Sequence, residues 1–179
     1  LGAGMMGAGI ALVAAQAGIE VVLVDRSQDV ADKGKAYSEQ YLNAGIKRGK
    51  VSDKIKDDIL NRILATDDYT KLSAADLIIE AVFEDTKVKS DVTKAVLEIV
   101  LEDCIFASNT STLPISELAK ASKYPENYIG IHFFSPVEKM LLVEIIKGEK
   151  TGNRAVAKAL DFVRPVSYTH LRAHETSTY

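Results

Sequence analysis

The chain contains 179 residues and carries a net charge of −3, with acidic and basic residues interspersed. Its length suits one domain with a real core, and the balanced charge argues against a nucleic-acid-binding protein, whose basic face would show in the totals. No apolar run reaches the roughly 18 residues that predict a membrane span, and the single Cys104 excludes a disulfide framework.

The N-terminal stretch carries three glycines, Gly2, Gly4 and Gly7, in G-x-G-x-x-G spacing, followed by an Ala-rich helical pattern. The apolar run EVVLVD then reads as a buried parallel strand that ends in Asp25. This order predicts a dinucleotide turn: Gly2 allows a tight turn, Gly4 lets a pyrophosphate approach, and Gly7 permits close helix packing. The strand that should precede the glycines is not visible. A glycine-rich turn with a surface aspartate is the alternative.

Asp25 also indicates which dinucleotide would bind. Its carboxylate is placed to accept the hydroxyls of an adenosine ribose and would repel a 2′-phosphate. The sequence therefore favours NAD over NADP, although the neighbouring Arg26 leaves NADP open.

The segment from Gln28 to Leu64 has a helical pattern that breaks between Gly45 and Ser52, which predicts two helices in a projecting hairpin. The hairpin is unusually charged. Its basic residues include Lys33, Lys35, Lys47, Arg48, Lys50, Lys54 and Lys56. Such a run usually forms a solvated face.

Strands and helices alternate through the rest of the pattern. Residues 75–82, 104–109, 128–134 and 141–146 read as strands, and residues 87–101 and 151–164 read as helices. This alternation predicts an α/β fold of the Rossmann type, doubly wound, with a mostly parallel sheet and a site at the carboxyl ends of the strands.

The last two predicted strands contain His132 and Glu144 in an otherwise apolar setting. If these strands run antiparallel, a loop around Glu138 and Lys139 brings the carboxylate back towards the imidazole. An imidazole held by a carboxylate has a fixed tautomer and raised basicity, which suits a general base. A half-buried structural ion pair is an equally good interpretation of the spacing alone.

The apolar period ends near Arg164. The stretch HLRAHET resembles the translated read-through of a sequencing adapter, so we expect residues 1–164 to form the domain and residues 165–179 to be a non-native, disordered tail. An ordinary disordered terminus is the alternative. His170 and His174 supply only two ligands without a scaffold, so no metal site is predicted.

Several blocks in this order resemble one family. They are GAGMMGAGIA, VVLVD, IIEAVFED, SNTSTLPI and IHFFSPVEKMLLVEII. Together they are similar to the L-3-hydroxyacyl-CoA dehydrogenases of fatty-acid β-oxidation. The segments VFEDTKVK and HFFSPVEKM are most similar to the dehydrogenase part of the multifunctional α-subunit, which also carries an enoyl-CoA hydratase. The resemblance runs from Leu1 to about Arg164.

The resemblance implies roles for individual residues. His132 would take the proton of the substrate 3-hydroxyl while the C3 hydride passes to the nicotinamide, Glu144 would orient the imidazole, and Ser111 would contact the substrate oxygen. The implied cofactor positions are Gly2, Gly4, Met6, Gly7, Asp25, Val82, Glu84, Lys89, Asn109 and Ser135. Ser135 stands where many members have asparagine, which should weaken no more than one amide contact.

The resemblance further implies NAD as cofactor and an acyl-CoA as substrate. The helical hairpin would border the CoA cleft, with Arg48 and Lys50 as candidate contacts near its tip. The all-helical domain that follows in the family is absent, so an NAD-binding module without turnover is the alternative to an NAD-dependent dehydrogenase. A β-hydroxyacid dehydrogenase of another kind is opposed by SNTST ahead of the His132 and Glu144 pair.

For the full-length protein the resemblance implies an oligomer, with a thiolase subunit as a partner. Its location would be the cytoplasm of a bacterium or the mitochondrion of a eukaryote.

Overall fold

The structure, a computed structural model, describes the backbone of residues 1–172 and the side chains of residues 1–167. Helices and strands alternate along the chain. The helices are α1 (Met5–Gln16), α2 (Gln28–Lys47), α3 (Asp53–Asn61), α4 (Thr86–Leu97), α5 (Ile115–Leu118) and α6 (Asn153–Val163). The strands are β1 (Val21–Val24), β2 (Ile63–Thr66), β3 (Leu77–Glu80), β4 (Ile105–Ser108), β5 (Tyr128–Phe133), β6 (Leu142–Ile146) and β7 (Tyr168–Arg172).

The strands form a sheet in two parts. β1 pairs with β2, and the larger part has the order β3-β4-β5-β6-β7. All neighbouring strands run parallel except β5 and β6, which run antiparallel. The predicted α/β fold with a mostly parallel sheet is therefore confirmed, and so is the antiparallel closing pair.

The first residues of the chain join the two parts of the sheet. Gly2 donates its N–H to the carbonyl of Val24 at 2.8 Å, and Ala81 donates its N–H to the carbonyl of Leu1 at 2.8 Å. Beside them a cavity of about 680 Å³, lined mainly by apolar side chains, lies between β1 and β3. In a dinucleotide fold, the strand that precedes the glycine turn lies at this position in the sheet. None of the strands formed by residues 1–172 lies there.

Most of helix α1 is buried, from Gly7 to Ala15, which explains its apolar, Ala-rich sequence. On one side Ile10 packs into the core formed with β4, β5 and β6. On the other side Leu12 and Ala15 pack into the core formed with β1, α2 and α3. The two cores together fix the start of α1, where the glycine turn lies.

The charged segment forms the predicted helical hairpin of α2 and α3. The second helix begins where Ser52 accepts a hydrogen bond from the N–H of Ile55 at 3.3 Å. The prediction that the helical pattern continues to Leu64 was wrong, because α3 ends at Asn61 and β2 follows at once. Four residues are too few to show the alternation of a strand, so β2 reads as the end of a helix.

The end of the described chain also differs from the prediction. Residues 168–172 were expected to be disordered, yet they form β7, whose backbone pairs in parallel with β6. The unpaired edge of β6 explains this, because an exposed strand edge offers backbone groups to any neighbouring segment. Residues 173–179, with His174, lie outside the described residues. That residues 165–179 are foreign to the natural protein stays a prediction.

Among the described residues, no helix is both long and apolar enough to cross a membrane.

Candidate functional site

The carboxyl ends of β3, β4 and β5 meet at one edge of the sheet, as parallel strands require. A cavity of about 320 Å³ lies there. It is lined by Met6, Ala81, Val82, Glu84, Asn109, Ser111, His132, Phe133, Phe134 and Ser135. Outside the glycine turn, every predicted catalytic or cofactor residue lines this cavity except Asp25, Lys89 and Glu144. The larger cavity between β1 and β3 contains none of the predicted catalytic residues.

His132, which lines the cavity, forms a close pair with Glu144, which does not line it. They lie opposite each other across β5 and β6, and Nδ1 of the imidazole is 3.0 Å from Oε2 of the carboxylate. Their side chains are only 15% and 12% exposed. The ring of His132 also packs against that of Phe134, with 4.4 Å between centroids. The pair therefore fixes the imidazole and leaves Nε2 as the nitrogen for a bound hydroxyl.

Ser111 reaches the same cavity from the loop that follows β4, where its side chain is exposed. Just before it, Asn109 accepts a hydrogen bond on Oδ1 from the N–H of Phe133 at 2.8 Å. This contact ties the end of β4 to β5, the strand that carries His132. A hydroxyl and an imidazole thus face one cavity from neighbouring strands.

The glycine turn has the shape that a bound phosphate requires. Gly2 has φ +84°, which favours glycine. A Cβ on Gly7 would lie 1.7 Å from the carbonyl oxygen of Gly2, so only glycine fits there. A Cβ on Gly4 would meet nothing within 4 Å, so the space above this residue is open. It lies at the N-terminus of the 12-residue α1, where unpaired N–H groups favour an anion.

Asp25 follows β1 and braces the glycine turn. Its Oδ2 accepts a hydrogen bond from the N–H of Ala3 at 2.6 Å, and its Oδ1 accepts one from the N–H of Arg26 at 2.7 Å. The carboxylate is half-buried at the edge of the turn. Its position beside the turn is the one from which a ribose diol of a dinucleotide is held. The residues present therefore fit the adenosine half of NAD.

Lys89 does not line the cavity but lies fully buried beneath its wall. Its ammonium is 2.7 Å from Oε1 of Glu80 and 3.2 Å from Oε2 of Glu84. Glu80 is also fully buried, and its Oε2 accepts a hydrogen bond from the hydroxyl of Ser108 at 2.8 Å. Sequence reasoning missed Glu80, Ser108 and Thr110. One feature of the sequence could have revealed Glu80: it is an acidic residue at the end of the apolar run LIIE.

Glu84 connects this buried lysine to the loop of Ser111. Its Oε1 accepts hydrogen bonds from the hydroxyl of Thr110 and from the N–H groups of Ser111 and Thr112. Burial opposes its ionisation, yet the Thr110 hydrogen bond and the charge of Lys89 together hold the pKa of this carboxyl below its usual value. Glu84 is therefore ionised at neutral pH.

The candidate CoA contacts lie apart from the cavity. Arg48 and Lys50 are exposed at the turn between α2 and α3, and neither lines the cavity. The side chain of Arg48 donates from Nε to the carbonyl of Ala44 at 2.9 Å. Among the described residues, no group of three or more His, Cys, Asp or Glu side chains could hold a metal ion.

Comparison with known proteins gives a consistent result. The family described as 3-hydroxyacyl-CoA dehydrogenase, NAD binding domain, matches residues 1–176, so the expectation that the resemblance ends near Arg164 was wrong. The fatty acid oxidation complex subunit alpha of Psychrobacter arcticus is 43% identical over 157 residues, which are 88% of this chain and 22% of that relative. The chain thus spans less than a quarter of the length of the curated relatives it matches.

Two solved structures show the same fold. The (S)-3-hydroxybutyryl-CoA dehydrogenase of Ralstonia eutropha is 37% identical with a TM-score of 0.92, over 95% of this chain and 60% of that one. The 3-hydroxybutyryl-CoA dehydrogenase of Escherichia coli is 33% identical with a TM-score of 0.91, over 95% of this chain and 36% of that one.

Proposed function

Because the chain belongs to the family of 3-hydroxyacyl-CoA dehydrogenase NAD-binding domains, we propose that it performs the NAD-dependent oxidation of L-3-hydroxyacyl-CoA to 3-oxoacyl-CoA. The observation that carries the proposal is the 3.0 Å pair of His132 and Glu144 behind a cavity that also holds Ser111. The glycine turn is the second support.

His132 acts as the general base. Oxidation of a secondary alcohol removes a proton from its oxygen and a hydride from its carbon, so a proton acceptor near the oxygen is needed. Nδ1 is engaged by Glu144, which leaves Nε2 to take the proton. Glu144 holds the ring by its contact with Nδ1, so that the orientation of Nε2 is fixed.

Ser111 holds the substrate oxygen. Its hydroxyl is exposed on the cavity wall and can donate a hydrogen bond to the alcohol and then to the ketone. Holding the oxygen between a hydroxyl and an imidazole directs the C3–H bond to one side. This orientation is the main contribution of the wall residues, since hydride transfer needs close and aligned approach.

When bound, NAD supplies the hydride acceptor, so the C3 hydride and its electron pair leave the substrate on the cofactor. Gly2, Gly4 and Gly7 would hold the pyrophosphate at the start of α1, and Asp25 would hold the adenosine ribose. Met6, Val82, Glu84, Asn109 and Ser135 would surround the nicotinamide end, because they line the cavity beside His132.

The CoA portion of the substrate would lie along the helical hairpin. Arg48 and Lys50 are the exposed cations at its turn, and they would meet the phosphates of the nucleotide end. Since relatives are named as subunits of a fatty acid oxidation complex, we further propose that the whole protein is an oligomer with a thiolase subunit as its partner.

A second function is an NAD-binding module without turnover. The specific observation that favours it is the cavity itself, which is open at the sheet edge and does not enclose a substrate. The chain also spans only a part of its curated relatives, so surfaces that close over the substrate can lie elsewhere.

One experiment separates the two functions. Formation of NADH is followed by absorbance with 3-hydroxybutyryl-CoA and NAD, alongside a fluorescence titration with NAD alone. Turnover that His132→Gln abolishes supports the dehydrogenase. NAD binding without turnover selects the module, and failure to bind NAD overturns both functions.

A further inference from the structure

Three charged side chains below the cavity form a continuous stack. Glu80 ends β3, Lys89 lies in the first turns of α4, and Glu84 lies on the loop between them. Lys89 bridges the two carboxylates at 2.7 Å and 3.2 Å. Both Lys89 and Glu80 are 0% exposed, so this is a charged group that the fold has fully desolvated. Such burial is costly unless every partner is in place, which suggests a task beyond stability.

The buried polar groups of this stack, the carboxylate of Glu80 and the ammonium of Lys89, all have hydrogen-bond partners. Glu80 accepts on Oε1 from the N–H of Val82 at 2.8 Å and on Oε2 from the hydroxyl of Ser108 at 2.8 Å. The ammonium of Lys89 also donates to the carbonyl of Val82 at 3.3 Å. The stack therefore fixes the backbone at Val82, which lines the cavity, and the last residue of β4.

The far end of the stack reaches the loop of Ser111. With Oε2 turned to Lys89, Glu84 directs Oε1 to the hydroxyl of Thr110 and to the N–H of Ser111 at 3.0 Å. Thr110 is 2% exposed, and its own oxygen accepts from the N–H of Leu113 at 2.9 Å. The conformation of the loop thus depends on one carboxylate whose orientation depends on Lys89.

We propose that Lys89 is a positioning residue: held by Glu80, it orients Glu84 and thereby fixes the loop that presents Ser111 to the substrate oxygen. The inference rests on the proposed function only for the role of Ser111. Charge-assisted hydrogen bonds are about twice as strong as neutral ones, so an oriented carboxylate suits a loop that must not move. The resemblance implies a position for Lys89 beside the cofactor. In the structure Lys89 lies below the cavity wall, where it contacts Glu80 and Glu84.

The test removes the charge pair without leaving a buried charge alone. A double variant, Lys89→Met with Glu80→Gln, replaces both buried ions by neutral side chains of similar size, a change that folded proteins often tolerate. Glu84 then lacks its cation. The matched control is Lys120→Met with Glu117→Gln, an exposed lysine–glutamate pair at 2.6 Å just beyond the same loop.

The first readout is amide hydrogen exchange of residues 111–113 in the chain alone, which requires neither substrate nor turnover. We expect exchange at Ser111 to rise about tenfold or more in the double variant, since charged hydrogen bonds carry this much protection. The control should leave it unchanged. Unchanged exchange in a folded double variant would overturn the proposal, whatever the activity of the chain.

A second variant covers the case in which the double variant does not fold. Thr110→Val is nearly isosteric and removes the hydroxyl that donates to Glu84 and accepts from the N–H of Leu113, while the charges of Glu80, Lys89 and Glu84 stay in place. The same faster exchange is expected at Ser111, and its absence counts against the positioning role.

The kinetic readout separates positioning from structure. In a protein that turns over, the double variant should lower kcat about tenfold, and Ser111→Ala should add no further loss of kcat in that background. Independent, additive losses would contradict an action through Ser111. Absence of turnover in the parent chain would reject the proposed function while the exchange result still decides the inference.

Discussion

Nδ1 of His132 and Oε2 of Glu144 lie 3.0 Å apart across the only antiparallel pair among the described strands. Antiparallel pairing is what places them directly opposite, since side chains at paired positions share a face and lie within contact distance. One residue of slippage would turn the carboxylate to the other face of the sheet. The contact between His132 and Glu144 therefore depends on the register of β5 and β6.

Substitution of His132 by Gln should lower kcat about 10²–10⁴-fold, because general base catalysis contributes that much. Substitution of Glu144 by Gln should lower it less, since the imidazole remains but loses the charge that orients it. Steady-state kinetics in a protein that turns over measures both. The control is Glu149→Gln, an exposed carboxylate shortly after β6. Full activity in Glu144→Gln would mean that the pair is only structural.

The glycine turn offers two substitutions with opposite expectations. A Cβ on Gly4 meets nothing within 4 Å, so Gly4→Ala should keep its melting temperature but weaken NAD binding about tenfold or more, because the methyl enters the pyrophosphate path. A Cβ on Gly7 would lie 1.7 Å from the carbonyl of Gly2, so Gly7→Ala should lower the free energy of unfolding by about 1–3 kcal/mol or more and melt at a lower temperature. Thermal melts and NAD titrations distinguish them. Normal NAD affinity in Gly4→Ala would exclude this turn as the phosphate site.

Asp25 should determine the preference between NAD and NADP. Replacing it by Ser removes the charge that repels a 2′-phosphate and leaves Arg26 to attract it, so affinity for NADP should rise and affinity for NAD fall about tenfold. Parallel titrations with both cofactors measure the change. Asp29→Ser, an exposed aspartate paired with Lys33 at 2.6 Å, is the control. An unchanged preference would place the ribose elsewhere.

The sequence predicts the parts of this site that depend on local pattern. The glycine spacing, the acid after β1 and the His132 and Glu144 pair are visible because each follows from spacing along one or two elements. The strand β2 was not visible, because four residues between charged neighbours carry too little pattern. The strand β7 was not visible either, since it depends on the open edge of β6 rather than on its own residues.

The buried stack could not be predicted for a related reason. Glu80, Lys89 and Thr110 come from three segments of the chain, and they meet because α4 packs with β3 and β4 in one core. A lysine in a helical pattern is ordinarily a surface residue. Its burial here follows from the carboxylates that the fold happens to place on either side, which no single segment reveals.

Glu84 should make the stability of the chain depend on pH in acid. Its folded pKa lies below the ordinary value, because the Thr110 hydrogen bond and the Lys89 charge outweigh the effect of burial. A depressed carboxyl pKa stabilises the folded state above the unfolded pKa, about 4.3 for glutamate, and that contribution disappears as pH falls through the folded pKa. Glu84→Gln should therefore be less stable than the parent at pH 7 and nearly equal to it well below pH ~4. Urea unfolding across this range, with the exposed Glu117→Gln as control, measures the difference; a stability gap that persists or widens in acid would show that Glu84 is not held in its ionised form by these contacts.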